Sequence, residues 1–75
     1  MRWTQTRTLA DGVRHELHRA GVLRARIVPD GDRWTVTMLP TEIDPKGLTE
    51  TVRAPSFNAL RKLVEETIRR VDRLC

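Results

Sequence analysis

Residues 24–40 read RARIVPDGDRWTVTMLP, two stretches of alternating apolar and polar residues joined at an Asp-Gly pair. Alternation with period two suits a strand, whose successive side chains point to opposite faces, and Asp-Gly between two such runs is a strong local signal for a tight hairpin. The pattern also sets an expected register. With Asp30-Gly31 at the turn, Val28 opposes Arg33, Ile27 opposes Trp34, Ala25 opposes Val36 and Leu23 opposes Met38, so most large apolar residues share one face. A type I turn on Pro29-Asp30 with a bulge at Gly31 would set Ile27 against Arg33 and mix the faces, so the hydrophobic pattern selects the Asp-Gly register, or a four-residue loop with the same pairing.

The flanking segments extend this nucleus. PTEIDPKG, residues 40–47, carries two prolines and a glycine and reads as a loop. Leu48, Val52 and Ala54 then alternate with Thr49, Thr51 and Arg53, which predicts a third strand over about 48–54, with Glu50 the misfit on the inward parity. Ser56 is a good N-cap for a helix over about 56–74, in which Phe57, Leu60, Leu63, Val64, Ile68, Val71 and Leu74 fall in one arc. Glu65 with Arg69 and Glu66 with Arg70 are favourable i,i+4 pairs on its other side. Towards the N-terminus, Thr8 is followed by an acid at Asp11, and Leu9, Val13, Leu17 and Ala20 recur at helical spacing before Gly21, which predicts a helix over about 8–20 in spite of Gly12. The expected fold is α+β: strands over about 23–29, 33–39 and 48–54 form a three-stranded antiparallel sheet, in α-β-β-β-α order, with two helices packed on one face.

A chain of 75 residues makes one small domain, of a size that buries only about 60% of its unfolded surface. Its 39% hydrophobic and 32% charged residues are those of a folded, soluble chain. Cys75 is the single cysteine, so neither an intrachain disulfide nor a cysteine zinc site is expected. No apolar stretch has the length of a signal peptide or a membrane span, and a cytoplasmic location is expected.

The charge balance points to acidic partners. Fourteen basic residues against ten acids give a net charge of +4, and twelve of the bases are Arg, whose planar fork grips phosphate and carboxylate better than Lys. Codon bias in a GC-rich bacterial or phage genome gives the same preference. In the expected register, Arg24, Arg26, Arg33 and Arg53 stand with Thr35, Thr37, Thr49 and Thr51 on the solvent face, without an acid among them. Arg forks and Thr hydroxyls there suit a phosphate backbone or an acidic protein surface, although such residues also serve solubility and sheet propensity. Arg61, Lys62, Arg14 and His18 are secondary basic candidates. Trp34 falls on the opposite, inward face, so the binding face has no aromatic residue on which to stack a base.

Other chemistry finds little footing. Asp11, His15 and His18 share one face of the expected first helix, but three ligands on one helix make a poor metal site, and neither a metal nor a cofactor is expected. No nucleophile motif or Gly-rich phosphate loop is present, so an enzyme is not expected. The near-heptad stripe of the last helix is short for a coiled coil, yet leaves a homodimer open.

The predicted helix, three strands, helix order resembles the double-stranded-RNA-binding domain over nearly the whole chain. That family binds RNA through a loop between its first two strands and a basic start to its last helix; VPDGDR and SFNALRK, with Arg61 and Lys62, stand at those places here. Residues 24–70, with RIVPDGDRWTVTMLP and PSFNALRKLVEETI, are also similar to the hairpin, strand and helix of HicB-type antitoxins. The first likeness implies RNA binding, the second an interaction module docking on a partner protein. The expected function is a small non-enzymatic binding module that contacts nucleic acid or a nucleic-acid–protein complex through its Arg-bearing sheet face. The alternative is an antitoxin-like or inhibitor-like protein-interaction module that binds an acidic partner.

Overall fold

The computed structural model describes residues 1–9, 12–40 and 45–74, apart from the Thr8 side chain. Five strands, β1 (Arg2–Thr8), β2 (Gly12–Arg19), β3 (Val22–Asp30), β4 (Arg33–Met38) and β5 (Leu48–Val52), precede one helix, α1 (Phe57–Arg73). The strands form a single antiparallel sheet in the order β1-β2-β3-β4-β5, a simple up-and-down meander.

The expected three-stranded sheet with two helices is therefore corrected to a five-stranded sheet with one helix. The segment expected as a helix over 8–20 is mostly strand β2, and the N-terminal residues before it form β1. Val13 and Leu17 are four residues apart, a spacing shared by one helical turn and two strand repeats. The residues between them decide: His15 lies on the same side as Val13 and Leu17, while Arg14 and Glu16 lie on the other. The connection that follows is a two-residue hairpin, with Arg19 opposite Val22 and positive φ at both Ala20 (55°) and Gly21 (76°), as in a type I′ turn.

The hairpin of β3 and β4 forms around the Asp-Gly region with its pairing moved by two residues from the expected one. Asp30 opposes Arg33, Ile27 opposes Val36 and Ala25 opposes Met38. Gly31, at φ 63°, takes the first central position of the turn and Asp32 the second. Gly31 alone has positive φ there, the pattern of a type II′ turn. An even shift preserves the inward and outward parity of the paired residues from Ala25 to Met38.

Helix α1 packs on one side of the sheet. Ser56 accepts the Ala59 amide at 3.4 Å as N-cap, and Leu60, Val64 and Ile68 are buried against Leu17, Ala25, Ile27 and Val36. Trp3, Trp34, Met38, Val52, Ala54 and Phe57 extend this core at its margins. Phe57 gathers the aromatic residues around the first turn of the helix, with the Trp3 ring edge-on at 5.3 Å, His15 stacked at 3.9 Å and Trp34 tilted at 6.2 Å. The Trp3 indole donates to Glu65 at 3.3 Å, so β1 is tied directly to the helix. No helix among the described residues is long and apolar enough to cross a membrane.

Candidate binding face

The helix covers one side of the sheet and leaves the other without a packed layer. Cross-strand pairing places Thr4 and Thr6 of β1, Arg14 and Glu16 of β2, Arg26 and Val28 of β3, Thr35 and Thr37 of β4, and Thr49 and Thr51 of β5 on this uncovered side. Threonine favours strands because its β-branched side chain fits a pleated surface, so the threonines both build the sheet and offer hydroxyls to a ligand. Thr4, Arg14, Arg26, Thr35 and Thr37 are half-buried by their neighbours, while Thr6, Thr49 and Thr51 at the edges are exposed.

Arg26 keeps its expected place on this face, with one constraint that the sequence pattern does not disclose. Glu16, on the strand whose spacing mimics a helix, stands directly opposite and pairs with the Arg26 guanidinium at 3.5 Å. The face therefore carries acids after all, since Asp30, on the same parity of β3, likewise stands opposite Arg33. Thr35, Thr37, Thr49 and Thr51 lie where expected, and Arg33, exposed, sits at the hairpin end of the sheet.

Arg24 does not join them. The β2–β3 pairing passes from Leu17–Ala25 to His18–Leu23, leaving Arg24 as the extra residue of a bulge. Its guanidinium reaches the helix instead and grips Asp72 with two hydrogen bonds of 2.9 and 3.1 Å, while Arg19 approaches the same carboxylate at 2.8 Å. The Arg24 hydrogen bonds, with the charges of Arg24 and Arg19, hold the Asp72 carboxyl below its ordinary range against the opposing effect of desolvation. Arg24 is a clamp between sheet and helix, and its predicted binding role has no geometric basis.

Arg53 follows β5 and faces Asp32 at 3.7 Å, both side chains being well exposed, a pair worth little in water. Of the secondary candidates, Arg14 lies on the uncovered face and His18 at the bulge. Arg61 and Lys62 lie on the helix, on the far side of the sheet. His15 is stacked in the core margin, where burial lowers its pKa, and His18 pairs on the other parity of β2, so the two histidines share no common face. Asp11 lies outside the described residues. Among the described residues no group of three His, Cys, Asp or Glu side chains is placed to hold a metal ion.

Sequence reasoning missed the β1 and β2 contributions, Thr4, Thr6 and Glu16. The alternation of Arg14, Glu16 and His18 with Val13, His15 and Leu17 was the available signal. No protein-family model matches this chain, and neither a curated protein nor a solved structure matches it.

Proposed function

We propose that this chain is a small, non-enzymatic, cytoplasmic binding module that contacts the phosphate backbone of nucleic acid through the uncovered side of its sheet. The observation that carries this reading is the composition of that side: Arg14 and Arg26 from the inner strands and pairs of threonines from β1, β4 and β5, with Glu16 opposite Arg26, and with Arg2 and Arg33 at the margins, the latter opposite Asp30. Arg forks and Thr hydroxyls are phosphate ligands, and contacts of this kind position a protein on a duplex without reading its sequence. Trp3, Trp34 and Phe57 are all engaged around the helix, which leaves no ring to stack on an unpaired base and favours duplex over single strands.

The charge sets the magnitude. At most four arginines, Arg2, Arg14, Arg26 and Arg33, reach phosphates from this side. The log–log salt slope on duplex DNA is then no steeper than about −3.6, from the rule of roughly −0.9 per phosphate neutralised. Fluorescence anisotropy titrations of duplex DNA, duplex RNA and single strands across a series of salt concentrations test this. R14A/R26A should abolish binding, whereas R61A/K62A on the helix should leave it unchanged. No binding to any of them at low salt would refute the proposal, and loss of binding in R61A/K62A alone would move the contact to the helix.

A further inference from the structure

The meander leaves two free sheet edges, β1 and β5, each with an unpaired row of backbone N–H and C=O groups. Strands β1 and β5 contain no proline and no lysine, and neither pairing with its inner neighbour contains a bulge, so charge is what guards these edges: Arg2 and Arg7 on β1 and Glu50 on β5. Such edges are templates for strand addition.

The edges are complementary in charge. On the helix side of the sheet β1 presents Trp3, Gln5 and Arg7, opposite Leu17, His15 and Val13, while β5 presents Leu48, Glu50 and Val52, opposite Met38, Val36 and Trp34. Arg7 and Glu50 are both exposed and neither has an ion-pair partner among the described residues. Beside Glu50, the seam between β5 and α1 is a shallow apolar groove of about 110 Å³ lined by Met38, Leu48, Val52 and Leu63. Leu48 and Leu63 there remain 53% and 60% exposed.

We propose that these edges join copies of the chain head to tail, β5 of one adding in parallel to β1 of the next. In a meander the first and fifth strands run in the same direction, so a copy added with its helix on the same side meets β5 in parallel. A register that sets Leu48 beside the next copy's Trp3 brings Thr49 and Thr51 beside its Thr4 and Thr6. It also leaves Glu50 diagonal to the next copy's Arg7, within reach of that long side chain. The symmetric alternatives match less well. Two β5 edges paired so that Leu48 meets Val52 place Glu50 against Glu50, and two β1 edges gather Arg2 and Arg7 of both copies without an acid. A head-to-tail contact does not terminate at a dimer: it closes into a ring or grows as a filament.

The test is sedimentation velocity of the full chain over a wide concentration range, with E50R, R7E and an equimolar mixture of the two. Both substitutions are at exposed edge positions, and far-UV circular dichroism checks that the fold persists. The wild type should associate beyond a dimer as concentration rises. Each variant alone should associate at least about tenfold more weakly, corresponding to 1.4 kcal/mol or more. The mixture should recover association, because an assembly that alternates the two variants again sets opposite charges against each other at every junction. A wild type that stays monomeric throughout, one that stops at a dimer, or a mixture no better than its components would overturn the proposal.

Discussion

Truncating Ile68 tests how the helix is held. Ile68 is fully buried, and with Leu60 and Val64 it forms the buried row by which α1 grips the sheet. Ile68→Ala removes most of a side chain from a core cluster whose sheet residues, Leu17, Ala25, Ile27 and Val36, belong to hydrogen-bonded inner strands that cannot collapse into the void. Such truncations cost about 2–5 kcal/mol, and a rigid site of this kind places the loss at about 3 kcal/mol. At the usual 0.05–0.15 kcal/mol per residue the whole domain is stable by roughly 4–11 kcal/mol, so this one change removes a large share. For a domain of this size each kcal/mol moves Tm by roughly 4–8 °C, and the expected drop is about 12–24 °C by circular dichroism of dilute protein. Leu63→Ala, on the same helix but 60% exposed, should cost under about 1 kcal/mol. Equal losses from the two variants would mean that α1 does not dock by the Leu60–Val64–Ile68 row, and the core described above would be wrong.

Two further predictions address the strands. Burial against Phe57 lowers the His15 pKa, so the fold favours neutral imidazole; stability should fall as pH drops through the ordinary histidine value near 6.5 and level off below the lowered folded value. Urea midpoints across that range should show the decline, and His15→Gln should remove its share of it. Ala20 occupies a left-handed position where Asn is better tolerated, and Ala20→Asn creates the Asn-Gly pair that type I′ turns prefer. It should stabilise by roughly 0.5–1 kcal/mol in urea unfolding; a loss of stability would argue against the β2–β3 hairpin.

Where local chemistry and hydrophobic period agree, the sequence is readable. The Ser56 cap followed by a full apolar arc defines α1, and the Asp-Gly region defines the β3–β4 hairpin with its faces, even though Gly31-Asp32 rather than Asp30-Gly31 takes the centre of the turn. The first half of the chain resists the same treatment for identifiable reasons. Its hairpin turns on Ala20-Gly21, and alanine is no turn signal; Trp3 is the only large apolar residue in β1, whose edge position asks for little hydrophobic pattern. The uncovered face of the sheet is legible in its threonines and in Arg26. Arg24 is not, because its fate depends on a bulge and on an acid 48 residues further along the chain.

The up-and-down order of the strands also bears on how the molecule forms. Every strand pairs with its sequence neighbour, so the sheet grows by short loop closures, hairpin by hairpin, on the microsecond scale of such events. Docking α1 is different in kind: it joins Trp3 to Glu65 across 62 residues and must wait until the whole meander precedes it. During synthesis the apolar side of the sheet is made before its cover, which makes α1 the element that separates a covered core from an exposed, sticky intermediate.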